Sequence, residues 1–363
     1  MHQFDYACAA ESLLTPHIAR LLTTIHEAKG RQNVQIDMRP EAVRTLVDVA
    51  RIQSTDASNR IEGIATSDRR LNALMLKTVT PRNRDEEEIA GYRDVLALIH
   101  DNHDYIPLTP NVILQLHRDL FRHTPLAFGG RFKDSDNVIV ERSTDGTQTV
   151  RFAPPSALMT PELITRACDA FNEAVGNEHV DPLLAIAMFT FDFTCIHPFN
   201  DGNGRMSRLL TLLLMYRNGF EIGKYISIEH IIEQTKDTYY DALAASTRGW
   251  NDSVNDYAPF AQYLLGTILT AYREFDERIG QLITPTGAGT DGHPGTATTK
   301  PSSERRIAAL FERTLSPMSK ADVLAQLPDI SVSTVERTLK RMLDAGEITK
   351  IGAGRATRYV SKR

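Results

Sequence analysis

A loop of glycine and polar residues lies between two apolar segments in the middle of the chain. It reads HPFNDGNG and covers residues 197–204. The flanking segments, at about 182–194 and 205–218, have apolar residues at the spacing of buried helices, and Gly219 is a helix stop. Two buried helices that meet at such a loop require a helical domain with the loop at one end of its core.

The residue types in and after this loop are those that bind an anion. Gly202 and Gly204 permit backbone angles that are closed to other residues, so several N–H groups can turn towards one ligand. The helix that follows adds the positive end of its dipole. Arg205 and Arg208 share one face of its first turn. We therefore expect a phosphate-binding loop; the alternative is a capped helix with solvated arginines.

Three further side chains of the loop have distinct predicted roles. Asp201 is a hard oxygen ligand, suited to a Mg²⁺ ion that bridges phosphate oxygens. His197 is the one side chain here that can take a proton near neutral pH. Phe199 lies between polar neighbours and is expected to anchor the loop in the core.

Most of the chain before residue 283 has the spacing of amphipathic helices. Thr109-Pro110, Thr160-Pro161 and Asp181-Pro182 each place a capping oxygen before a proline at a helix start. Further helices are expected at about 17–29, 40–54, 85–101, 228–247 and 257–282. β-branched runs on both sides of Asp145-Gly146 predict one β-hairpin. The fold class is therefore all-α with one hairpin.

The sequence HPFNDGNGR followed by MSR resembles the signature of the Fic family, His-Pro-Phe-x-Asp/Glu-Gly-Asn-Gly-Arg-x-x-Arg. The resemblance covers roughly residues 50–280. It implies an N-terminal helical region at 1–108 and a Fic catalytic core at 109–282. Within this core it implies a hairpin flap at 131–152 and an active loop at 197–208.

The resemblance also implies roles for individual residues in transferring AMP from ATP to a Ser, Thr or Tyr hydroxyl of a protein target. His197 would be the general base, and Asp201 would hold Mg²⁺ between the α- and β-phosphates. Arg208 would bind the γ-phosphate. The other residues expected from the loop in the ATP site are Gly202, Asn203, Gly204, Arg205, Met206 and Ser207.

Two segments outside the loop are expected to complete the ATP site. The flap would dock the target by strand addition, so that Asn137, Val138, Ile139 and Val140 line the site. A hairpin that only covers the core is the alternative. Tyr239 and Tyr240 match the nucleoside-contacting tyrosines of Fic proteins, and Tyr240 is favoured because only one of two consecutive helical residues faces the site well. Alternatively, both are core aromatics.

The segment STDASNRIEGI, at residues 54–64, resembles the inhibitory helix that many Fic proteins carry, with the pattern Ser/Thr-x-x-x-Glu-Gly/Asn. Ser58, Glu62 and Gly63 fit this pattern, which places the inhibitory helix at about 55–63. Glu62 would then pair with Arg208 and occupy the γ-phosphate position. Without the resemblance, the same residues would be interpreted as an ordinary helix end with a solvated carboxylate.

The C-terminal residues have a separate organisation. A Gly, Thr and Pro-rich linker at 283–302 precedes three helical stretches, at about 303–313, 319–326 and 332–344, and Gly346 is a stop. Strands at 347–351 and 355–360 follow, so residues 303–363 resemble a winged helix-turn-helix domain. In a DNA reader, Thr334, Arg337, Lys340 and Arg341 would face the major groove, and Arg355 and Arg358 would meet phosphate. A docking or dimer-forming module is the alternative.

Charge and cysteine content bound the remaining possibilities. Residues 302–363 hold 12 Lys and Arg against 7 Asp and Glu, whereas the rest of the chain holds 29 against 39. No run of apolar residues approaches the length that is needed to span a membrane. Cys8, Cys168 and Cys195 have no metal-ligand spacing. They are expected to be buried residues of a protein that occupies a reducing compartment. We expect a cytoplasmic protein without a membrane partner.

The favoured function is thus that of a self-restrained protein adenylyltransferase that uses ATP and Mg²⁺, and the resemblance implies a homodimer. Two alternatives remain. One is Fic-type transfer of another phosphate-containing group. The other is a nucleotide-sensing regulator that binds DNA through its C-terminal domain.

Overall fold

The computed structural model describes residues 2–38, 40–125, 128–142, 148–178, 180–283, 303–313, 318–327, 330–345, 347–351 and 357–361. They belong to two compact units, Met1–Gln281 and Leu282–Arg363. Four predicted features lie outside the described residues: the hairpin turn at Asp145-Gly146, the linker from residue 284 onwards, the stop at Gly346 and the wing residue Arg355.

The first unit is mostly helical. Its α-helices are α1 Tyr6–Leu13, α2 Pro16–Met38, α3 Pro40–Ile61, α4 Asp68–Met75, α5 Arg84–Asn102, α6 Pro110–Leu120, α7 Thr160–Gly176, α8 Pro182–Ile196, α9 Asn203–Arg217, α10 Ile228–Gln234, α11 Lys236–Thr247 and α12 Ala258–Ile283. Strands β1 Ile139–Arg142 and β2 Gln148–Phe152 pair antiparallel, with Arg142 opposite Gln148. The predicted class of a helical domain with one strand pair is confirmed.

Several helix boundaries differ from the predictions for local reasons. Helix α3 runs without a break to Ile61, so the helix predicted at 40–54 and the inhibitory helix predicted at 55–63 are one helix, whose last two turns are buried. The predicted helix at 228–247 is divided at Thr235. Thr160 is the first residue of α7 and not its cap, since its hydroxyl donates to the Ser156 carbonyl. Thr109 and Asp181 cap their helices as predicted.

Helices α8 and α9 form the centre of the core and join at the glycine loop. Nearly every residue of α8 is buried, including its phenylalanines at 189, 191 and 193. The Leu-rich face of α9 packs against it. Trp250 is buried and donates from Nε1 to the buried Asp192 carboxylate, which agrees with a packing role. The loop between α8 and α9 therefore rests on a rigid base.

The cysteine prediction is only partly confirmed. Cys168 and Cys195 are buried, and burial raises the pKa of the Cys195 thiol well above its ordinary value. Cys8 is exposed, because it lies on the outer face of the short helix α1. No helix among the described residues is long and apolar enough to cross a bilayer.

The second unit contains α13 Ser303–Arg313, α14 Lys320–Gln326 and α15 Val332–Asp344. Strands β3 Ile348–Ile351 and β4 Arg358–Ser361 follow and pair antiparallel. A separate apolar core holds these elements together; it includes Ile307, Phe311, Val323, Val335 and Leu339. The three helices lie close to their predicted positions.

Candidate active site

The loop between α8 and α9 is shaped by two residues with left-handed backbone angles. His197 ends α8 at φ 50°, and Gly202 precedes α9 at φ 82°. A Cβ at residue 202 would lie 2.8 Å from the Phe121 ring, so glycine is required there for space as well as for conformation. The Asn203 side chain accepts from the Phe199 N–H and donates to the Phe199 carbonyl. The loop is therefore closed by its own hydrogen bonds.

His117 on α6 joins the loop to the segment before the hairpin, and the sequence analysis did not identify it. Its Nδ1 accepts from the Gly130 N–H at 3.0 Å, so Nε2 carries the proton and donates to the Asp201 carbonyl at 3.0 Å. The ring stacks on Phe199 with centroids 3.6 Å apart. Burial lowers the pKa of His117 to about 4, so the imidazole is neutral and keeps this tautomer. Phe199 itself is fully buried, as predicted.

His197 is a neutral imidazole at the edge of the loop. Its Nδ1 lies 3.4 Å from the Thr194 carbonyl, which can only accept, so the Nδ1–H tautomer leaves a lone pair on Nε2. Burial lowers the pKa of His197 to about 4, against smaller opposing effects that include the charges of Glu62 and Asp201. The predicted base is therefore in its proton-accepting form at neutral pH.

Glu62 and Arg208 form an ion pair across the start of α9. The Arg208 Nη2 lies 2.7 Å from the Glu62 Oε1. Burial raises the pKa of Glu62, but the charge and hydrogen bond of Arg208 outweigh burial and hold this pKa below its ordinary value. The carboxylate also lies directly over Gly204, where a Cβ would be only 2.1 Å from Oε1. The second glycine of the loop thus provides the space that Glu62 occupies.

Ser58 binds the same guanidinium twice. Its hydroxyl accepts from the Arg208 Nε at 2.8 Å, and its carbonyl accepts from Nη2 at 2.9 Å. Ser58 and Glu62 are one helical turn apart, so they approach Arg208 from the same face of the α3 terminus. The two residues that were selected from the sequence by resemblance are therefore in contact with the predicted arginine.

Asp201 and Arg205 are linked to the start of α5 through two residues that the sequence analysis missed. Arg84 is 2.9 Å from the Asp201 Oδ2 and also pairs with Glu88. Glu88 in turn lies 2.6 Å from the Arg205 Nη1. The Arg205 side chain is 1% exposed and held by Glu88 over the Phe121 ring, and its contact with phosphate stays a prediction. The Arg84–Glu88 spacing of four residues on one helix was the available sequence signal.

Asp201 has the properties of a single-carboxylate magnesium ligand. It is the part-exposed acid of the loop, and its Oδ2 pairs with the guanidinium of Arg84 at 2.9 Å. No group of three or more His, Cys, Asp or Glu side chains among the described residues could enclose a metal by itself. A Mg²⁺ ion held here would depend on substrate phosphates for further ligands, which is the usual arrangement for this ion.

The segment before β1 is fastened to the loop by Lys133 and Asn137. The Lys133 ammonium donates to the Asn137 Oδ1 at 2.9 Å and to the Ile196 carbonyl at 3.1 Å. Burial lowers the pKa of Lys133 to about 8. The Asn137 amide donates to the carbonyls of His197 and Phe199, which brings Asn137 to the loop. Val138 is exposed and Ile139 half-buried, whereas the Val140 side chain lies outside the described residues.

Tyr239 and Tyr240 are both near the Glu62–Arg208 pair, but in different environments. Tyr239 is buried, and its ring contacts those of Phe260 and Tyr263. Tyr240 is half-buried between two cations, the guanidinium of Arg151 on β2 and the ammonium of Lys236. Lys236 also donates to the Ile61 carbonyl at the end of α3. The favoured Tyr240 is thus the more accessible of the two rings.

Met206 and Ser207 do not present their side chains to the loop, and their place in the ATP site stays a prediction. Met206 is wholly buried in the main core, and the Ser207 hydroxyl donates to the Gly204 carbonyl. Both positions lie on the faces of α9 that pack against the interior. The loop residues whose side chains remain at the site are His197, Asp201 and Arg208.

The fold and the site define a class of protein, a mostly helical domain with a small antiparallel strand pair. This domain folds around a glycine loop from His197 to Arg208. Residues 107–215 match the model of the Fic/DOC family. The chain therefore contains a Fic domain, and this confirms the resemblance noted in the loop sequence.

Individual proteins agree with this match. Protein adenylyltransferase fic-1 of Caenorhabditis elegans is 27% identical over 186 residues, which are 50% of this chain and 32% of that protein. A Fido domain-containing protein of Dictyostelium discoideum is 29% identical over 128 residues, which are 34% of this chain and 85% of that protein. The chain thus spans only about a third of the nematode relative's length.

A solved structure has the same fold. The crystal structure of a Fic family protein from Desulfovibrio desulfuricans matches with a TM-score of 0.59 at 23% identity. The match covers 96% of this chain and 97% of that one.

Proposed function

We propose that this protein is a protein adenylyltransferase that transfers AMP from ATP to a Ser, Thr or Tyr hydroxyl of a protein target. The observation that carries the proposal is the grouping of His197, Asp201 and Arg208 around one glycine loop inside the Fic domain. The adenylyltransferase names of the curated relatives support the same reaction class.

In the proposed reaction, a target hydroxyl attacks the α-phosphorus of ATP. The His197 Nε2 takes the hydroxyl proton as the new oxygen–phosphorus bond forms. The bond between the α-phosphorus and the bridging oxygen breaks, and pyrophosphate leaves with the electron pair. Asp201 would hold Mg²⁺, which neutralises charge on the phosphates when bound. The loop N–H groups and Arg208 would stabilise the polyphosphate without moving, because the loop is already closed by its own hydrogen bonds.

We also propose that the protein restrains itself through Glu62. The carboxylate engages the Arg208 guanidinium that would bind the γ-phosphate, so ATP and Glu62 compete for one partner. The hairpin is proposed to dock the target as a flap, with Asn137 fixing its base to the loop.

Intact mass spectrometry after incubation with ATP and Mg²⁺ tests the reaction class. We expect the Glu62→Gly protein to gain one or more adenylate groups on itself or on an added target. The signal should disappear with EDTA or in the Asp201→Asn variant, which lacks the metal-binding charge. A gain of a single phosphate would instead identify the alternative transfer reaction, and no gain in any variant would contradict the proposal.

DNA binding by the C-terminal unit is a second candidate function. The order of its helices and strands supports a winged helix, and Arg337 and Lys340 are exposed on α15 without an ion pair among the described residues. By contrast, Lys320 and Arg358 pair with Glu336 and Asp322. We expect duplex DNA binding that weakens with salt, is lost in the Arg337→Ala, Lys340→Ala double variant and is unchanged in His197→Ala. Equal binding by the double variant would contradict this role.

A further inference from the structure

Lys133, in the segment before β1, binds the carbonyl groups on both sides of His197. Its ammonium donates to the Ile196 carbonyl at 3.1 Å. Its backbone N–H donates to the Pro198 carbonyl at 2.8 Å. Because Ile196 is the last residue of α8, its carbonyl has no partner within the helix and accepts from outside it. One residue thus holds the peptide groups before and after the proposed base.

The same ammonium orients Asn137, which reaches the carbonyls in between and beyond. Lys133 Nζ donates to the Asn137 Oδ1 at 2.9 Å, so the amide nitrogen of Asn137 is turned to the loop. That nitrogen lies 3.4 Å from the His197 carbonyl and 3.3 Å from the Phe199 carbonyl. Four consecutive carbonyls, at 196–199, therefore contact Lys133 or the amide that Lys133 orients.

The backbone of His197 needs such support. It has φ 50° and ψ 61°, a left-handed conformation that is costly for a residue other than glycine and persists where the surrounding contacts fix it. Among the described residues the imidazole has one hydrogen-bond partner, the Thr194 carbonyl at 3.4 Å. The direction of Nε2 therefore depends more on the backbone of His197 than on contacts of its ring.

Lys133 is a buried cation whose acceptors all lie in or beside the loop. Its side chain is buried, and no carboxylate of the described residues lies within 4.0 Å of the ammonium. Burial lowers the pKa of Lys133 to about 8, so the group stays cationic at pH 7 and its hydrogen bonds are charge-assisted. A buried charge without an ion pair is costly unless hydrogen bonds compensate for it. Here those bonds go to Ile196 and Asn137.

We propose that Lys133 is a positioning residue, which fixes the backbone of His197 so that Nε2 points at the target hydroxyl. This inference rests on the proposed function and concerns proton transfer alone. The contacts of Lys133 are to the carbonyl side of the loop and not to Arg208 or Asp201. Loss of the ammonium should therefore slow the transfer step and leave nucleotide binding nearly unchanged.

The test compares single-turnover rates of AMP transfer in the Glu62→Gly background at pH 7, with saturating ATP and Mg²⁺. Lys133→Met removes the ammonium and keeps an unbranched side chain, whereas Lys133→Arg keeps a cationic donor. Lys29→Met is the matched control, because the half-buried Lys29 donates to the Asn218 carbonyl at the far end of α9. Calorimetry with α,β-methylene ATP and Mg²⁺, which the reaction cannot cleave, measures nucleotide affinity in each variant.

We expect Lys133→Met to lower the transfer rate by about tenfold, the usual effect of losing one hydrogen bond from a charged group. Affinity for the ATP analogue should stay within about threefold of the parent. Lys133→Arg should retain more of the rate than Lys133→Met does. Lys29→Met should change neither the rate nor the affinity by more than about twofold.

The His197→Asn variant distinguishes positioning of the base from a general structural role. If Lys133 acts through His197, adding Lys133→Met to His197→Asn should slow the residual transfer by less than about twofold, because no imidazole remains to be positioned. Labelled ATP makes this residual rate measurable. A role in the shape of the whole loop would instead cost the same factor with and without the imidazole.

Three results would overturn the positioning role while leaving the proposed function intact. They are an equal loss of rate with and without His197, an unchanged rate in Lys133→Met, and a loss of analogue binding in Lys133→Met. If the Glu62→Gly parent transfers no AMP, the proposed function fails, and the inference about Lys133 fails with it.

Discussion

The His197→Asn variant is expected to transfer AMP at least about a hundredfold more slowly than its parent, the same protein with histidine at residue 197. The rate is measured as the single-turnover rate with saturating ATP and Mg²⁺. In this variant the side chain proposed to accept the hydroxyl proton is absent. Asparagine is the informative substitution because residue 197 has φ 50°, a conformation that asparagine tolerates better than alanine does. A large loss in this variant therefore reports the missing base and not a strained loop.

Nucleotide binding provides the control for this prediction. Affinity for α,β-methylene ATP should stay within about threefold of the parent, since the imidazole acts on the target hydroxyl and not on the phosphates. Retention of more than a tenth of the parental rate would show that His197 is not the base.

The pH dependence of the reaction follows from the low pKa of the same residue. A base with a pKa of about 4 stays neutral as the pH falls from 8 to 6, so kcat/KM should be nearly constant over this range. Activity is lost only as the pH approaches 4, because protonation then removes the accepting lone pair. An unshifted histidine would instead lose activity about tenfold per unit below its ordinary pKa of roughly 6.5. The profile should be recorded with the Glu62→Gly protein.

The sequence predicted those parts of the fold that depend on local patterns. Helices α8 and α9 were predicted because each contains a run of apolar residues and because a glycine, Gly219, follows α9. Periodicity predicted a helix at 40–54 and the resemblance an inhibitory helix at 55–63; α3 joins the two into one helix that carries the polar residues Ser54 and Ser58. In the structure the side chains of Ser54 and Ser58 are fully buried, and their hydroxyls form hydrogen bonds with residues far away in the sequence. Periodicity alone cannot distinguish such a buried polar face from a solvent-exposed one.

Sequence patterns have a similar limit at the candidate active site, where contacts join residues that are far apart in the chain. His197, Asp201, Arg208 and Glu62 were selected through their motifs, and the structure brings Glu62 and Arg208 into contact. The pairing of Arg205 with Glu88 was not predicted, because Glu88 is more than a hundred residues earlier in the chain. His117 carries no motif, and only the tertiary fold brings it to the loop.

The Glu62→Gly variant is expected to raise the rate of self-modification with labelled ATP by about ten- to a hundredfold. Glu62 and the γ-phosphate would require the same Arg208 guanidinium, and the carboxylate also fills the space over Gly204. Removing it frees both the charge and the space. Glycine is tolerated here because residue 62 lies just beyond the last turn of α3, so little helix stability is lost.

Glu62→Gln separates the two effects of this carboxylate. Glutamine keeps the volume over Gly204 and a neutral hydrogen bond to Arg208, but it removes the ion pair. If charge dominates the restraint, Glu62→Gln should approach the activity of Glu62→Gly; if occupied space dominates, it should stay near the parent. Equal activity of all three proteins would exclude restraint by Glu62 while leaving the transferase itself possible. Because Arg208 keeps both hydrogen bonds to Ser58, either substitution should leave the protein folded, which thermal unfolding can check.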